Sequence, residues 1–190
     1  MEVKTKSDIR KKYKELRSNL SSEKIDTLSK DIVKLLSNNF NFSNCSVHLF
    51  ITIKKLNEVN TEFLMNELFN TGATVSTSAF DPIKTTTHHV KIYPGTKFNI
   101  GNMDIPIPDS NDPELIDQLD FIIVPLLGYD IYGNRIGYGK GIYDQILTKC
   151  PENCKKIGVS FFEPEQQIPI ESHDIKLDFC QTPSSLYNFK

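Results

Sequence analysis

"DFIIVPLLGYDIYGNRIGYGKGIYD", residues Asp120–Asp144, joins a short apolar run to a glycine-rich loop. The first part, Asp120–Pro125, lacks the apolar/polar alternation of a strand with one wet face. It predicts a strand in a sheet that is covered on both sides. The loop that follows has glycines at 133, 137, 139 and 141, and "YDQILTK" then reads as a helix with Ile142, Ile146 and Leu147 on one side. A strand, a loop and a helix in that order form the repeating unit of an open α/β sheet, where ligands sit beyond the carboxyl ends of the strands.

The flanking segments fit such a sheet. Ile9, Tyr13, Leu16 and Leu20 recur at steps of four, three and four, which predicts a helix with Lys and Arg on its other faces. Ser22 can cap a second helix, on which Ile25, Leu28, Ile32 and Leu35 continue the periodicity to about Ser37. "VHLFI" (Val47–Ile51) predicts a strand. Thr61 can cap a helix to about Phe69 that Gly72 closes, and "ATVSTSAF" is the next strand. "HHVKIYP" predicts a further strand, "IPIPD" a proline-rich connection, and "KIGVSFF" another buried strand. The C-terminal segment can add a last short one. The expected architecture is an α/β sandwich with a mostly parallel central sheet behind two N-terminal helices, one domain over residues 1–190.

Composition narrows the function classes. With 190 residues, 38% of them hydrophobic, the chain can bury roughly 70% of its unfolded surface without disulfides or a structural metal. A net charge of −2 argues against a protein built to neutralise nucleic-acid phosphates, so an anion site must be a local cluster of cations. The basic face of the first helix is the one feature that favours nucleic acid. The sequence opens on Met-Glu-Val-Lys with no leader pattern, and no apolar run approaches membrane-spanning length. Its cysteines, Cys45, Cys150, Cys154 and Cys180, lack zinc-site spacing. A cytoplasmic protein with reduced thiols is expected. His88 and His89 fall on opposite faces of a predicted strand, a poor arrangement for one metal ion.

The glycine loop matches neither familiar phosphate device. Aligning Gly139-Lys140 with the end of a P-loop puts Asn134 where the first glycine belongs and Gly141 where a hydroxyl residue belongs. The dinucleotide pattern fails at Asp144 in one register and at Ile142 in the other. The residue types still suit phosphate. Glycines let backbone approach a ligand, Arg135 offers a planar fork, Lys140 a compact charge, and Asp144 a carboxylate of the kind that holds Mg²⁺ beside phosphates. A tight strand-to-helix turn, with Asp144 stabilising the first helical turn, explains the same residues without a ligand.

"VPLLGYDIYGNRIGYGKGIYD" (Val124–Asp144) resembles the signature of the 5-formyltetrahydrofolate cyclo-ligase (methenyltetrahydrofolate synthetase) family. That signature has Val/Met-Pro, Gly-Phe-Asp and then Gly-x-Arg-Leu-Gly-x-Gly-x-Gly-Tyr-Tyr-Asp. "KSDIR", "NEVNT" and "IGVSFFEP…IPIESHDIKLD" agree in order and spacing, so the resemblance spans nearly the whole chain. It implies a Rossmann-like three-layer α/β sandwich and an ATP- and Mg²⁺-dependent ligase. In that reaction the formyl oxygen of 5-formyltetrahydrofolate is phosphorylated, N10 attacks the resulting iminophosphate, and phosphate leaves as 5,10-methenyltetrahydrofolate forms.

By the same resemblance, Lys6, Arg10, Arg135, Gly137, Tyr138, Gly139, Lys140, Gly141 and Tyr143 contact ATP, with Arg135 and Lys140 catalytic. Ile51, Glu58, Tyr138, Gly139, Lys140, Gly141 and Ile142 contact the folate, and Asp144 and Asp174 hold Mg²⁺. Asp178 falls to a capping or surface role, and His173 to a surface one or to supporting Asp174. The implied partners are ATP and 5-formyltetrahydrofolate, free or polyglutamylated, for a monomer that uses neither nucleic acid nor membrane. Ile107, Ile142 and Gln145 depart from the family's pattern. They are the sequence basis for an alternative, a non-catalytic folate- or nucleotide-binding protein of the same fold.

Overall fold

A computed structural model describes residues 5–81, 86–101 and 104–190. The chain starts with helices α1 (Lys6–Ser18) and α2 (Ser22–Asn39), then strand β1 (Ser46–His48), α3 (Glu62–Asn70), β2 (Thr74–Asp81) and β3 (Thr86–Ile92). β4 (Phe98–Ile100) and β5 (Pro106–Pro108) precede β6 (Phe121–Pro125) and the short strands β7 (Gly128–Tyr129) and β8 (Arg135–Ile136). α4 (Ile142–Leu147), β9 (Lys155–Val159), β10 (Phe179–Gln181) and β11 (Leu186–Asn188) complete it.

The central sheet has seven strands in the order β11-β10-β9-β6-β1-β2-β3. β10, β9, β6, β1 and β2 pair in parallel, and the two edge strands β11 and β3 run antiparallel. β6 is the middle strand, which is why its sequence is continuously apolar. Phe121 and Ile123 pack with α2 and α3 on one face, and Ile122 and Val124 pack with Ile146 and Leu147 of α4 on the other. Each such side chain fully removed from water contributes about 1.5–3 kcal/mol.

α1 departs from its expected face. Ile9 and Tyr13 are buried, but Leu16 is 36% exposed and Arg17 only 3%. The buried stripe therefore runs in steps of four through Ile9, Tyr13 and Arg17. The cause is tertiary: α1 packs on the β7–β8 hairpin, in a small cluster with Leu127, Ile136 and Ile168. Gly128 makes room for it, since a Cβ there would lie 2.7 Å from the Tyr13 ring.

Other boundaries shift for local reasons. The Ser21 hydroxyl, not Ser22, caps α2 by accepting the Lys24 N–H. β1 ends at His48, short of the expected Ile51, because Thr61 and Thr52 capture the chain. The Thr61 hydroxyl donates to Phe50 O at 2.7 Å, and Thr52 Oγ1 accepts the Thr61 N–H at 2.8 Å. "IPIPD" is not only a connection, because Pro106–Pro108 pairs antiparallel with β4. The loop after β6 folds as a hairpin about Asp130. This fully buried carboxylate accepts N–H bonds from Tyr132, Asn134 and Ile168 and from the Asn134 amide. Gly133, at φ +81°, makes the turn. Among the described residues no helix is long and apolar enough to cross a membrane.

Candidate active site

A cleft of about 380 Å³ opens past the carboxyl ends of β1 and β6, the position expected for a ligand in an open α/β sheet. Every site residue expected from the sequence lines it. Lys6 and Arg10 come from α1, Ile51 and Glu58 from the segment after β1, Arg135 to Asp144 from β8, the glycine loop and α4, and Asp174 from the segment before β10.

One end is charged. Lys6 Nζ lies 2.6 Å from Asp174 Oδ2 and 3.2 Å from Glu171 Oε2. Arg135, 7% exposed, places Nη2 2.6 Å from Asp144 Oδ1 and donates through Nη1 to Ile175 O. Arg10 Nε donates to Gly137 O at 3.0 Å and so holds the glycine loop to α1. Lys140 is exposed and has no ion-pair partner among the described residues, which leaves its charge available to a ligand. Lys6, Arg10, Arg135 and Lys140 thus form the local cation cluster that a chain of net charge −2 needs for an anion. Burial opposes ionisation of Asp174, but the Lys6 hydrogen bond, the Glu171 N–H and the charges of Lys6 and His173 outweigh it and hold its pKa below the usual value. Asp144 and Asp174 offer carboxylate oxygens, the donors that a hard divalent cation takes. Ligand atoms of Glu171, His173 and Asp174 lie within 4.8 Å of one another.

The other end is apolar, with Phe50, Ile51, Ile53, Leu56 and Ile105 about the 4%-exposed Glu58. Glu58 Oε2 accepts the Ile53 N–H at 2.7 Å. Burial pushes its carboxyl above the ordinary range, against the Ile53 bond, the Tyr138 hydroxyl and the charge of Arg17. Tyr138 bridges the two, since its hydroxyl accepts from Arg17 Nη1 at 2.7 Å and bonds to Glu58.

Arg17 escaped the sequence reading. It joins Tyr138 to Leu126 O at the end of β6, and its own carbonyl accepts from Asn57, the neighbour of Glu58. Its step of four from Tyr13 was the available signal, masked by the better hydrophobe at Leu16.

The glycines differ in purpose. Gly139 and Gly141 take φ of +88° and +67°, where L side chains are strained, and Gly139 also lies against the Arg10 guanidinium. Gly137 has neither constraint, and a Cβ there would meet nothing within 4 Å. Its missing side chain leaves room in the cleft and relieves no clash within the protein.

Of the departures from the family pattern, Ile142 lines the cleft and is 37% exposed, so it does not join Ile146 and Leu147 in the core as the helix reading expected. Ile107 covers Gly101 outside the lining, and Gln145 is exposed. Asp178 accepts the Lys156 N–H at 2.8 Å and pairs with Lys190, a structural role. His173 is exposed, 3.2 Å from Glu171.

The chain resembles known proteins over nearly its whole length. The family model described as the 5-formyltetrahydrofolate cyclo-ligase family matches residues 2–183. The 5-formyltetrahydrofolate cyclo-ligase of Mus musculus is 28% identical over 161 residues, 76% of each chain. A probable 5-formyltetrahydrofolate cyclo-ligase of Schizosaccharomyces pombe is 27% identical over 187 residues, 88% of this chain and 89% of that one. The NMR structure of Aquifex aeolicus 5,10-methenyltetrahydrofolate synthetase superposes with a TM-score of 0.81 at 24% identity, over 97% of this chain and 93% of that one. At that identity the likeness is one of fold.

Proposed function

The chain belongs to the 5-formyltetrahydrofolate cyclo-ligase family, and from that premise we propose that it is a ligase converting 5-formyltetrahydrofolate to 5,10-methenyltetrahydrofolate, with ATP as co-substrate and Mg²⁺ bound. The observation that carries this reading is one cleft with a cationic end and an apolar end around a buried carboxylate. The triphosphate lies among Lys6, Arg10, Arg135 and Lys140, and the pterin lies near Ile51, Ile142 and Glu58. Asp144 and Asp174 would hold Mg²⁺, which supplies charge neutralisation on phosphate oxygens. Residues 1–190 act as one catalytic unit, a cytoplasmic monomer.

The chemistry asks for positioning more than for a protein nucleophile. A formamide oxygen leaves poorly as hydroxide. Phosphorylation turns it into a phosphate leaving group, and attack by N10 on the same carbon closes the ring. Arg135 and Lys140 neutralise charge on the transferred phosphoryl group. The apolar end excludes water that would hydrolyse the activated formyl group.

Purified protein given 5-formyltetrahydrofolate, ATP and Mg²⁺ should show the rising absorbance of the methenyl product. Tight binding of both substrates without that product would establish the non-catalytic alternative, and neither binding nor product would sink the family reading of the cleft. Gly137→Ala tests the nucleotide end separately. Stability should stay level or rise by about 0.4–1 kcal/mol, while affinity for ATP falls about tenfold. Unchanged ATP titration would mean that Gly137 faces no ligand.

A further inference from the structure

Ser78 lines the cleft from β2, and behind it lie two histidines that the reaction scheme leaves unused. His48 Nε2 is 2.9 Å from Ser78 Oγ, His89 Nδ1 is 3.3 Å from the same oxygen, and the two ring nitrogens are 3.3 Å apart. Three polar atoms thus face one another, and the placement of their protons follows from the surroundings.

His48 is fully buried, and its Nδ1 has no hydrogen-bond partner among the described residues. A buried N–H without an acceptor costs more than a bare lone pair, so the His48 proton sits on Nε2. Two N–H groups cannot point at each other across 3.3 Å, so His89 Nδ1 is bare and its proton is on Nε2. The Nε2–H of His48 donates to Ser78, and the Ser78 hydroxyl donates to His89. Both inner positions of Ser78 are then taken, and the lone pair left over is an acceptor.

Both rings are neutral at ordinary pH. Burial, with the charge of His89, pushes His48 down to about 3. Burial, with the charges of Lys149 and His88, pushes His89 down to about 4. The two rings that hold Ser78 therefore bring it no positive charge. An uncharged acceptor cannot bind phosphate oxygens, which are acceptors themselves, but it matches an N–H donor. Ser76 pairs with His48 and accepts the Leu49 N–H, so Ser78, two residues further along the parallel strand β2, lies in the direction in which the chain after β1 continues into Phe50 and Ile51 of the apolar end.

We infer that Ser78, oriented by His48 and His89, is a specificity contact that accepts a hydrogen bond from an N–H group of the reduced pterin, a step that rests on the cyclo-ligase reading of the cleft. The contact favours ligands with a ring N–H or amino group there and disfavours a carbonyl at the same place.

Two measurements test it on the full chain. Nitrogen-15 spectra of the imidazole rings at neutral pH should show both His48 and His89 as neutral Nε2–H tautomers. A Nδ1–H tautomer at His48, or a charged ring, overturns the orientation. Ser78→Ala should raise the KM and the directly titrated Kd for 5-formyltetrahydrofolate about tenfold and lower the thermal midpoint, because the buried His48 Nε2–H loses its acceptor, with the KM for ATP unchanged, and Ser78→Thr should restore affinity. Unchanged folate affinity in Ser78→Ala, or an equal loss for ATP, overturns the assignment. Wild-type chain that binds the folate without turnover removes the enzyme reading alone, because the tautomers and the Ser78 affinity effect are read without catalysis.

Discussion

Asp144→Ala is expected to lower turnover about 10³-fold, and Lys140→Ala about 10²-fold, with the fold retained in both. The two losses have different causes. Lys140 is exposed and has no ion-pair partner among the described residues, so its removal takes away charge at the phosphoryl group and nothing from the core. Asp144 bonds to the buried Arg135, so Asp144→Ala also leaves one arm of that guanidinium without its carboxylate. Asp144→Asn separates the two effects, since an amide oxygen can still accept from Arg135 but brings no negative charge to a metal. Methenyl absorbance gives the rate and circular dichroism the fold. Wild-type rates in Lys140→Ala and Asp144→Asn would show that the glycine loop is only a strand-to-helix turn.

A steep loss of stability is expected between about pH 6.5 and 4. The folded-state values of His48 and His89, about 3 and about 4, lie below the ordinary 6.5. As pH falls below 6.5 the unfolded chain takes up protons that the folded one refuses. The stability the two neutral rings contribute is complete above that value and is lost as pH falls toward the folded values. A ring that binds its proton only when unfolded costs about 1.4 kcal/mol per pH unit in this window, and less for the partly exposed His89. Glu58 works in the opposite direction. Its raised folded value favours the protein at low pH, and that contribution is lost as pH rises through it. Thermal midpoints measured across this window should fall for wild type and stay much flatter for a His48→Phe/His89→Phe variant. Parallel curves would show that the acid sensitivity arises elsewhere.

The histidine pair shows where sequence reading stops. His88 and His89 were expected to face opposite sides of a strand, and they do, with His88 exposed and His89 turned toward His48. The partner could not be foreseen. His48 reaches His89 because β1 and β3 both flank β2, a matter of sheet order. Ser78, the residue that gives the pair a place on the cleft, looked like any other in a β-branched strand.

α1 tells the same story from its buried face. Its periodicity favoured Leu16, and that would have been right for a helix packed on the apolar sheet. It packs on the hairpin instead, where the buried side chain must reach Tyr138 and the Leu126 carbonyl, and Arg17 does so. The step of four from Tyr13 was visible in the sequence, but a long cationic side chain next to a leucine gives no reason to prefer it as the buried one.

By itself the sequence determined the α/β class, the central β6 strand, the strand–helix–strand unit through Gly72 and part of the cleft lining, with Lys6, Arg10, Glu58 and the glycine loop among it. Apolar periodicity and short-range spacing are local quantities, and a long glycine signature is specific. Tertiary structure alone decided the ion pairs of Asp144 with Arg135 and of Asp174 with Lys6, the burial of Arg17, and the closure of Ser78 by two histidines. Each depends on groups far apart in the chain meeting where water is excluded, and burial there sets charge, tautomer and hydrogen-bond direction together.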